Sequence, residues 1–361
     1  MFQLVPNKTL DTLCIIVTIL VALYNYWCAK KERKGTGYVF FVFFILLFSL
    51  LYRPAEGDFW HYLEAYQIGS TGHNNLEDIF NWLMDVIPDN YILWRVSIWL
   101  PAAILLAFSF KLMKTPSNVA TLFFLMFGLI NVYYYTRNVL GSAALYLALA
   151  LFDYKTRPLK HVFITIVVIG LIIASWYLHK SMPLYIGLAL LALFLPFSKN
   201  TIIIALAVFP VLYLLTYVIS FNFLQWDIWL TDETGLNYLE STNSLVTNWK
   251  GIISLIIRYI PIVYFYVIAF RFPLSKTIEE YKAYKTFLLL GFFIFYISFL
   301  FMGQGAEAIH GRLYKSSMIP FAFTVSLYFK NNMEARRCHI FIVLMLIYYA
   351  FTLFVNTATS I

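Results

Sequence analysis

Charge is scarce in this chain. Asp, Glu, Lys and Arg make up only 12% of its 361 residues, against 61% hydrophobic and 20% aromatic. A soluble domain carries about a quarter charged residues, so a water-soluble globular protein is excluded. Cysteine is scarcer still. Cys14, Cys28 and Cys338 stand far apart, and three isolated thiols make neither a disulfide framework nor a metal site. No glycine-rich phosphate loop, HExxH or nucleophile elbow occurs. The net charge of +8 comes with no aromatic–basic RNA motif and no zinc spacing, so nucleic acid is not an expected partner. One lysine, Lys8, precedes the first apolar run without a small-residue cleavage site, and no removable signal peptide is expected.

What is abundant is apolar sequence, with a mean hydropathy of +0.76. Runs of about twenty such residues are each long enough to cross the hydrocarbon of a bilayer. Inside lipid the backbone must satisfy its own hydrogen bonds, which makes each run a helix. The expected fold is therefore all-α: one polytopic transmembrane domain over residues 1–361 with about twelve membrane-spanning helices. The spans read as Asp11–Ala29, Gly37–Leu51, Tyr91–Phe110, Val119–Tyr133, Val139–Phe152, Val162–Leu178, Met182–Phe197, Thr201–Ser220, Gly251–Phe270 and Thr286–Met302. One more opens at Arg312, and Ile340–Val355 is the last. Asn74–Ile87 differs. Leu76, Ile79, Phe80, Leu83, Met84 and Ile87 line one face, so it reads as an amphipathic helix lying on the bilayer surface. Thr277 and Glu280 form a capping box for a cytoplasmic helix. No internal repeat of the transporter kind is visible.

Lys and Arg concentrate in alternate short loops: Lys30–Lys34, Lys111–Lys114, Lys155–Lys160, Lys199, Arg271–Lys285 and Lys330–His339. By the positive-inside rule these face the cytoplasm. The Arg53–Tyr66 stretch, Arg137, His179, the acidic and tryptophan-bearing segment Phe221–Lys250 and Gly303–Arg312 then share the outer face. Every unusual polar cluster falls on one side, which composition alone does not require.

The densest cluster follows the second span. Within Tyr52–Tyr66 lie Arg53, Glu56, Asp58, His61 and Glu64 among aromatics. Pro54 and Gly57 break the preceding helix. Asp58, Tyr62 and Tyr66 then recur at helical spacing, placing a carboxylate and two phenols on one face. A solvated loop with an interfacial aromatic belt is the plain alternative. The outward cations are Arg53, Arg137, Lys180, Arg312 and Lys315, with His61, His179 and His310 nearby. At a helix end a cation either snorkels to headgroups or lines a polar cavity. Arg137 favours the cavity, because it follows three tyrosines and opens a helix whose dipole attracts anions. Arg312 stands likewise at the start of a span. Two forked guanidiniums suit a diphosphate, whose oxygens accept bidentate bonds. His179 reads either as a satisfied interfacial histidine or as a functional one at the helix break marked by Ser181 and Pro183. Asp58 either pairs with a cation or serves as a general base. Arg95 and Arg258 lie within spans, where an interior partner is expected.

Four short patterns in this order resemble the EpsG family of Wzy-type exopolysaccharide and O-antigen polymerases. They are Arg53…Asp58…Tyr62…Tyr66, Arg137-Asn138-Val139-Leu140-Gly141, His179-Lys180-Ser181, and Arg312-Leu313-Tyr314 with Pro320. The resemblance implies glycan polymerisation at the periplasmic face of a bacterial inner membrane. A growing chain on undecaprenyl diphosphate is the donor, and the terminal hydroxyl of a lipid-linked repeat unit is the acceptor. It places Asp58, Arg137, His179 and Arg312 in catalysis, and Arg53, Tyr62, Tyr66, Lys180, Lys315 and His310 in substrate binding. Glu56 and His61 are alternatives to Asp58 as the base. No cofactor or metal is expected. The partners are the undecaprenyl-diphosphate-linked oligosaccharide, the lipid bilayer and a chain-length regulator protein. A transporter of lipid-linked oligosaccharides would need the same cations, and it is the competing expectation.

Overall fold

A long apolar run with few glycines has one economical way to pair its backbone polar groups away from water, and that is the helix. The computed structural model describes residues 8–53, 58–69, 78–88, 90–127, 129, 136–152, 158–179, 181–218, 249–275, 280–300 and 307–358. Among them are fourteen helices and no strand. In chain order these are α1 (Lys8–Lys30), α2 (Tyr38–Leu51), α3 (Asp58–Ile68), α4 (Asp78–Val86), α5 (Tyr91–Leu112), α6 (Ser117–Phe127) and α7 (Thr136–Phe152). They continue as α8 (Pro158–Leu178), α9 (Met182–Phe194), α10 (Lys199–Val218), α11 (Trp249–Arg271), α12 (Tyr281–Leu300), α13 (Glu307–Phe329) and α14 (Arg336–Ala358).

The described residues are the helices of a membrane protein. Among the described residues, Lys8–Lys30, Tyr91–Leu112, His161–Leu178 and Tyr281–Phe299 are long and apolar enough to cross a bilayer. Tyr38–Leu51, Ser117–Phe127, Asn138–Phe152, Met182–Phe194 and Lys199–Val211 are shorter apolar helices. Large apolar side chains such as Phe163, Ile166, Trp176 and Tyr177 of α8 stay exposed, as lipid-facing residues do.

Two rows of helices carry the packing. One runs α2–α5–α7–α8, and the other joins α1, α6, α13 and α12, with α9 and α10 against α12. Phe323 of α13 stands where the rows meet. Its ring lies 4.0 Å from that of Phe110 on α5, 4.8 Å from Phe287 on α12 and 5.8 Å from Tyr146 on α7. In lipid no hydrophobic force drives helices together, so this close packing is what holds the rows. Each aromatic pair adds about 1 kcal/mol beyond its buried area.

Among the described residues, the loops after α1, α5, α9 and α13 and the turn before α12 meet at one end. Asn118 donates to the Arg33 carbonyl at 3.2 Å, and Tyr38 donates to the Thr115 carbonyl at 2.5 Å. Lys285 caps the C-terminus of α9 through the carbonyls of Leu193 and Leu195, at 2.8 and 2.9 Å. Lys330 pairs with Glu280 at 3.1 Å, and Tyr26 bonds to His339. Gly35 is required here, because a Cβ would come within 2.6 Å of the Asn118 Cβ and 2.8 Å of the Asn25 Oδ1.

The first residues of the expected amphipathic helix, 74–77, lie outside the described residues, and α4 is described from Asp78. It buries Phe80 and Met84 but leaves Ile79, on the expected apolar face, partly exposed beside Trp82 and Val86. α13 begins at Glu307, so Arg312 stands in its second turn rather than at its start. The Pro54–Gly57 break, Thr277 of the capping box, residues 219–248 and 301–306 lie outside the described residues.

Candidate functional site

Among the described residues, polar side chains at the end opposite the basic loops form three groups. The first surrounds Phe59. A buried residue at the first turn of α3 is fixed by what α2 and α5 offer it. Arg95, fully buried on α5, donates to the Ser49 carbonyl at 3.1 Å and to the Tyr91 hydroxyl at 3.2 Å. Its guanidinium carbon lies 4.8 Å from the Phe59 ring centroid, and that of Arg53 lies 4.9 Å from the same centroid. Tyr91 in turn donates to the Phe59 carbonyl at 2.7 Å. The backbone N–H of Arg53 donates to Asp11 Oδ1 at 2.6 Å, and its Nε donates to the Leu50 carbonyl at 2.8 Å. The partners expected for Arg95 are thus a main-chain carbonyl, a phenol and an aromatic face.

The expected face of Asp58, Tyr62 and Tyr66 exists as helix α3, because the spacing does place them on successive turns. Tyr62 is buried, with its ring 6.3 Å from Trp94. The Tyr66 hydroxyl bonds to the Ile87 carbonyl and accepts the Asn90 N–H at 2.9 Å, clasping the turn that leads into α5. Both phenols therefore take part in packing α3. The side chains of Asp58 and His61 lie outside the described residues, as does Glu56.

The second group is buried between α11, α12 and α13. His310 Nδ1 lies 2.7 Å from the Ser298 carbonyl, and its Nε2 lies 2.5 Å from the Tyr259 hydroxyl. A carbonyl only accepts, so Nδ1 carries the proton and Tyr259 donates to Nε2. Both ring nitrogens are engaged inside the bundle, where they clamp three helices. Tyr314 adds a bond to the Arg258 carbonyl at 3.4 Å.

The third group joins segments far apart in sequence. The break between α8 and α9 turns on His179, whose carbonyl accepts the Met182 N–H at 2.9 Å. Its Nδ1 accepts the backbone N–H of Ser181 at 3.0 Å and lies 2.7 Å from Ser181 Oγ. Ser181 Oγ also reaches Asn138 Oδ1 on the first turn of α7, at 3.3 Å. One turn into α9, buried Tyr185 donates to Ser316 Oγ of α13 at 2.9 Å. Arg312 stands one turn before Ser316 on the same helix. Two further contacts bring α7 up to this turn. Ser175 donates to the Gly141 carbonyl at 2.9 Å, and a Cβ at Gly141 would meet Met182 Sδ at 3.0 Å.

The His179 turn, the helix start bearing Arg137 and the segment of α13 that carries Arg312 thus come together, although 133 positions separate His179 from Arg312. Arg312 and Lys315 are half-buried. Arg137 stands on the first turn of α7, where the helix dipole favours anions. Its side chain and Lys180 lie outside the described residues. Arg53 belongs to the Phe59 group and His310 to the clamp. Sequence reasoning named Asn138 only as part of the Arg137 pattern and missed Tyr185 and Ser316, ordinary residues inside apolar runs that no local pattern marks. The group offers hydroxyls, an amide, an imidazole and a half-buried guanidinium at a helix break, a donor-rich setting suited to an anionic oxygen ligand.

No protein-family model, curated protein or solved structure matches this chain.

Proposed function

We propose that this protein is a glycan polymerase of the bacterial inner membrane, spanning it about twelve times with its site at the periplasmic face. It transfers a growing polysaccharide from undecaprenyl diphosphate to the terminal hydroxyl of a lipid-linked repeat unit. A chain-length regulator is its protein partner. The observation that carries the reading is the convergence of Asn138, the His179–Ser181 turn, Tyr185 and Ser316 from three helices, with Arg312 one turn before Ser316. Three of the four sequence patterns that suggested a polymerase contribute to that one cluster.

In the transfer, the acceptor oxygen forms a bond to the donor's anomeric carbon as the bond from that carbon to the diphosphate oxygen breaks. The acceptor proton passes to a base, for which Asp58, Glu56 and His61 remain the candidates. The electron pair of the broken bond stays on the lipid diphosphate, which leaves. Fixed positive charge and hydrogen-bond donors near that oxygen stabilise the charge as it develops, and in a dry site they do so without reorganising. Arg312 and Arg137 have this role; Lys315 and Lys180 help hold the diphosphate. Since bond energy is already stored in the lipid diphosphate, no nucleotide sugar takes part.

Purified protein supplied with lipid-linked repeat units in detergent should yield a ladder of longer glycans without nucleotide sugar. Products of unchanged length, with substrate instead crossing a vesicle membrane, would make the protein a transporter.

A further inference from the structure

A groove runs between α2 and α5 where the two helices pack. Tyr38, Val42 and Leu46 on α2 and Leu100, Ile104 and Lys111 on α5 recur at helical spacing and line it. Its volume is about 430 Å³. Ala107, at its floor, is 7% exposed, while the rings of Phe43 and Phe108 along its sides are 58% and 54% exposed. Lys111 is the one charged lining residue. It is exposed, and among the described residues its side chain makes no hydrogen bond or ion pair. This end of the groove is the end of the basic loops, where Tyr38 donates to the Thr115 carbonyl.

The dimensions match one leaflet. Leu100 and Lys111 are eleven positions apart, which is about 16 Å of helix. Half the hydrocarbon of a bilayer is about 15 Å thick. The groove therefore reaches from the interface to the middle of the membrane, with its charge at headgroup level. Space left empty there forfeits dispersion contacts along both walls. A transmembrane helix matches it poorly, because helix contacts in lipid are built on small residues, and Ala107 is the only one in the lining. A flexible hydrocarbon tail adapts to such walls. Since lipid tails differ little in apolarity, selection falls to the headgroup, where an ammonium favours net negative charge.

We propose that the α2–α5 groove binds one acyl chain of an anionic phospholipid, whose headgroup phosphate meets Lys111 in the leaflet beside the basic loops. Toward their other ends the same helices bring Arg53 and Arg95 to the Phe59 ring, so the tail braces the pair that frames α3. The site needs the membrane and not the glycan reaction, so its failure and that of the polymerase reading are separate results.

Native mass spectrometry of the full chain, released from micelles containing equal phosphatidylglycerol and phosphatidylcholine, tests the site. Wild-type protein should keep one phosphatidylglycerol in preference to phosphatidylcholine. Equal retention would overturn the proposal. Lys111→Gln, at an exposed position, should lower the ratio of the two about fivefold, the usual effect of one lysine near an anionic surface. Lys199→Gln removes an exposed charge from the start of α10, outside the groove, and should leave the ratio unchanged. Equal falls in the two would make the preference a general property of the basic end. Ala107→Leu fills the floor and should hold one lipid fewer, and phosphatidylglycerol should no longer raise its thermal midpoint. Val42→Phe, which fills the groove from the half-buried wall of α2, should do the same and serves if Ala107→Leu does not fold. An unchanged lipid count in either folded variant would remove the tail from the groove. A wild-type dimer that these substitutions split would assign the groove to a second copy of the chain instead.

Discussion

Arg53 and Arg95 bring their guanidinium carbons to 4.9 and 4.8 Å from one ring centroid, that of Phe59. One arginine comes from the end of α2 and the other from the buried face of α5, so the first turn of α3 is pinned between two helices by charge on an aromatic face. A desolvated cation–π contact contributes about 2 kcal/mol. Phe59→Leu keeps most of the volume and removes both. It should lower the thermal midpoint in detergent markedly more than Phe43→Leu, at a lipid-exposed ring. Equal midpoints for the two variants would show that the ring serves only as bulk.

Arg137→Lys and Arg312→Lys should each slow chain extension by about a hundredfold at matched levels of folded protein. A lysine keeps the charge and loses the bidentate fork. For Arg137 a snorkelling role predicts the reverse, because a lysine reaches headgroups equally well. Normal ladders from both would leave the diphosphate without its proposed partners.

Gly35 and Gly37 provide an internal comparison two residues apart. A Cβ at Gly35 meets the Asn118 Cβ at 2.6 Å, which no rotamer change relieves, whereas a Cβ at Gly37 meets nothing within 4 Å. Gly37 also has an ordinary φ of −78°. Gly35→Ala should therefore reduce the folded yield and thermal midpoint, by overpacking worth about 1–3 kcal/mol. Gly37→Ala should be silent in both. Fluorescence-detected size-exclusion chromatography after a heating series separates the two.

The His310 clamp predicts a defect of stability. Tyr259→Phe leaves Nε2 of a buried imidazole without its donor, at a cost of about 1–3 kcal/mol. His310→Ala removes two bonds and opens a void, so it should be worse. The protein that remains folded should keep its apparent substrate affinity. A raised KM with an unchanged thermal midpoint in Tyr259→Phe would return His310 to substrate binding, as its place in the sequence first suggested.

Sidedness can be read by thiol labelling on the natural background, since Cys14, Cys28 and Cys338 are all buried. Asn75→Cys and Asn243→Cys should react with an impermeant maleimide in cells whose outer membrane alone is opened. Reaction only after lysis would invert the orientation and remove the polymerase reading with it.

What the sequence determined by itself follows from period and composition. Apolar length dictated helices, and basic loops predicted one end of the bundle, because both depend on residues close together along the chain. The break at His179–Ser181 was legible for the same reason, as was the helical face of Tyr62 and Tyr66. Tertiary structure alone decided which of these polar residues are neighbours. Nothing local says that Asn138 would reach Ser181, that Tyr185 would donate to Ser316, or that the Tyr66 hydroxyl would be occupied by the turn before α5. It also moved Arg312 into the second turn of α13, away from the helix terminus that gave it a dipole in the linear reading. In a bundle held by ring-to-ring packing, register between helices is set by the fit of many side chains at once. That fit involves positions such as Phe110 and Phe323, more than two hundred residues apart. Helices are properties of segments, whereas a site is a property of their register.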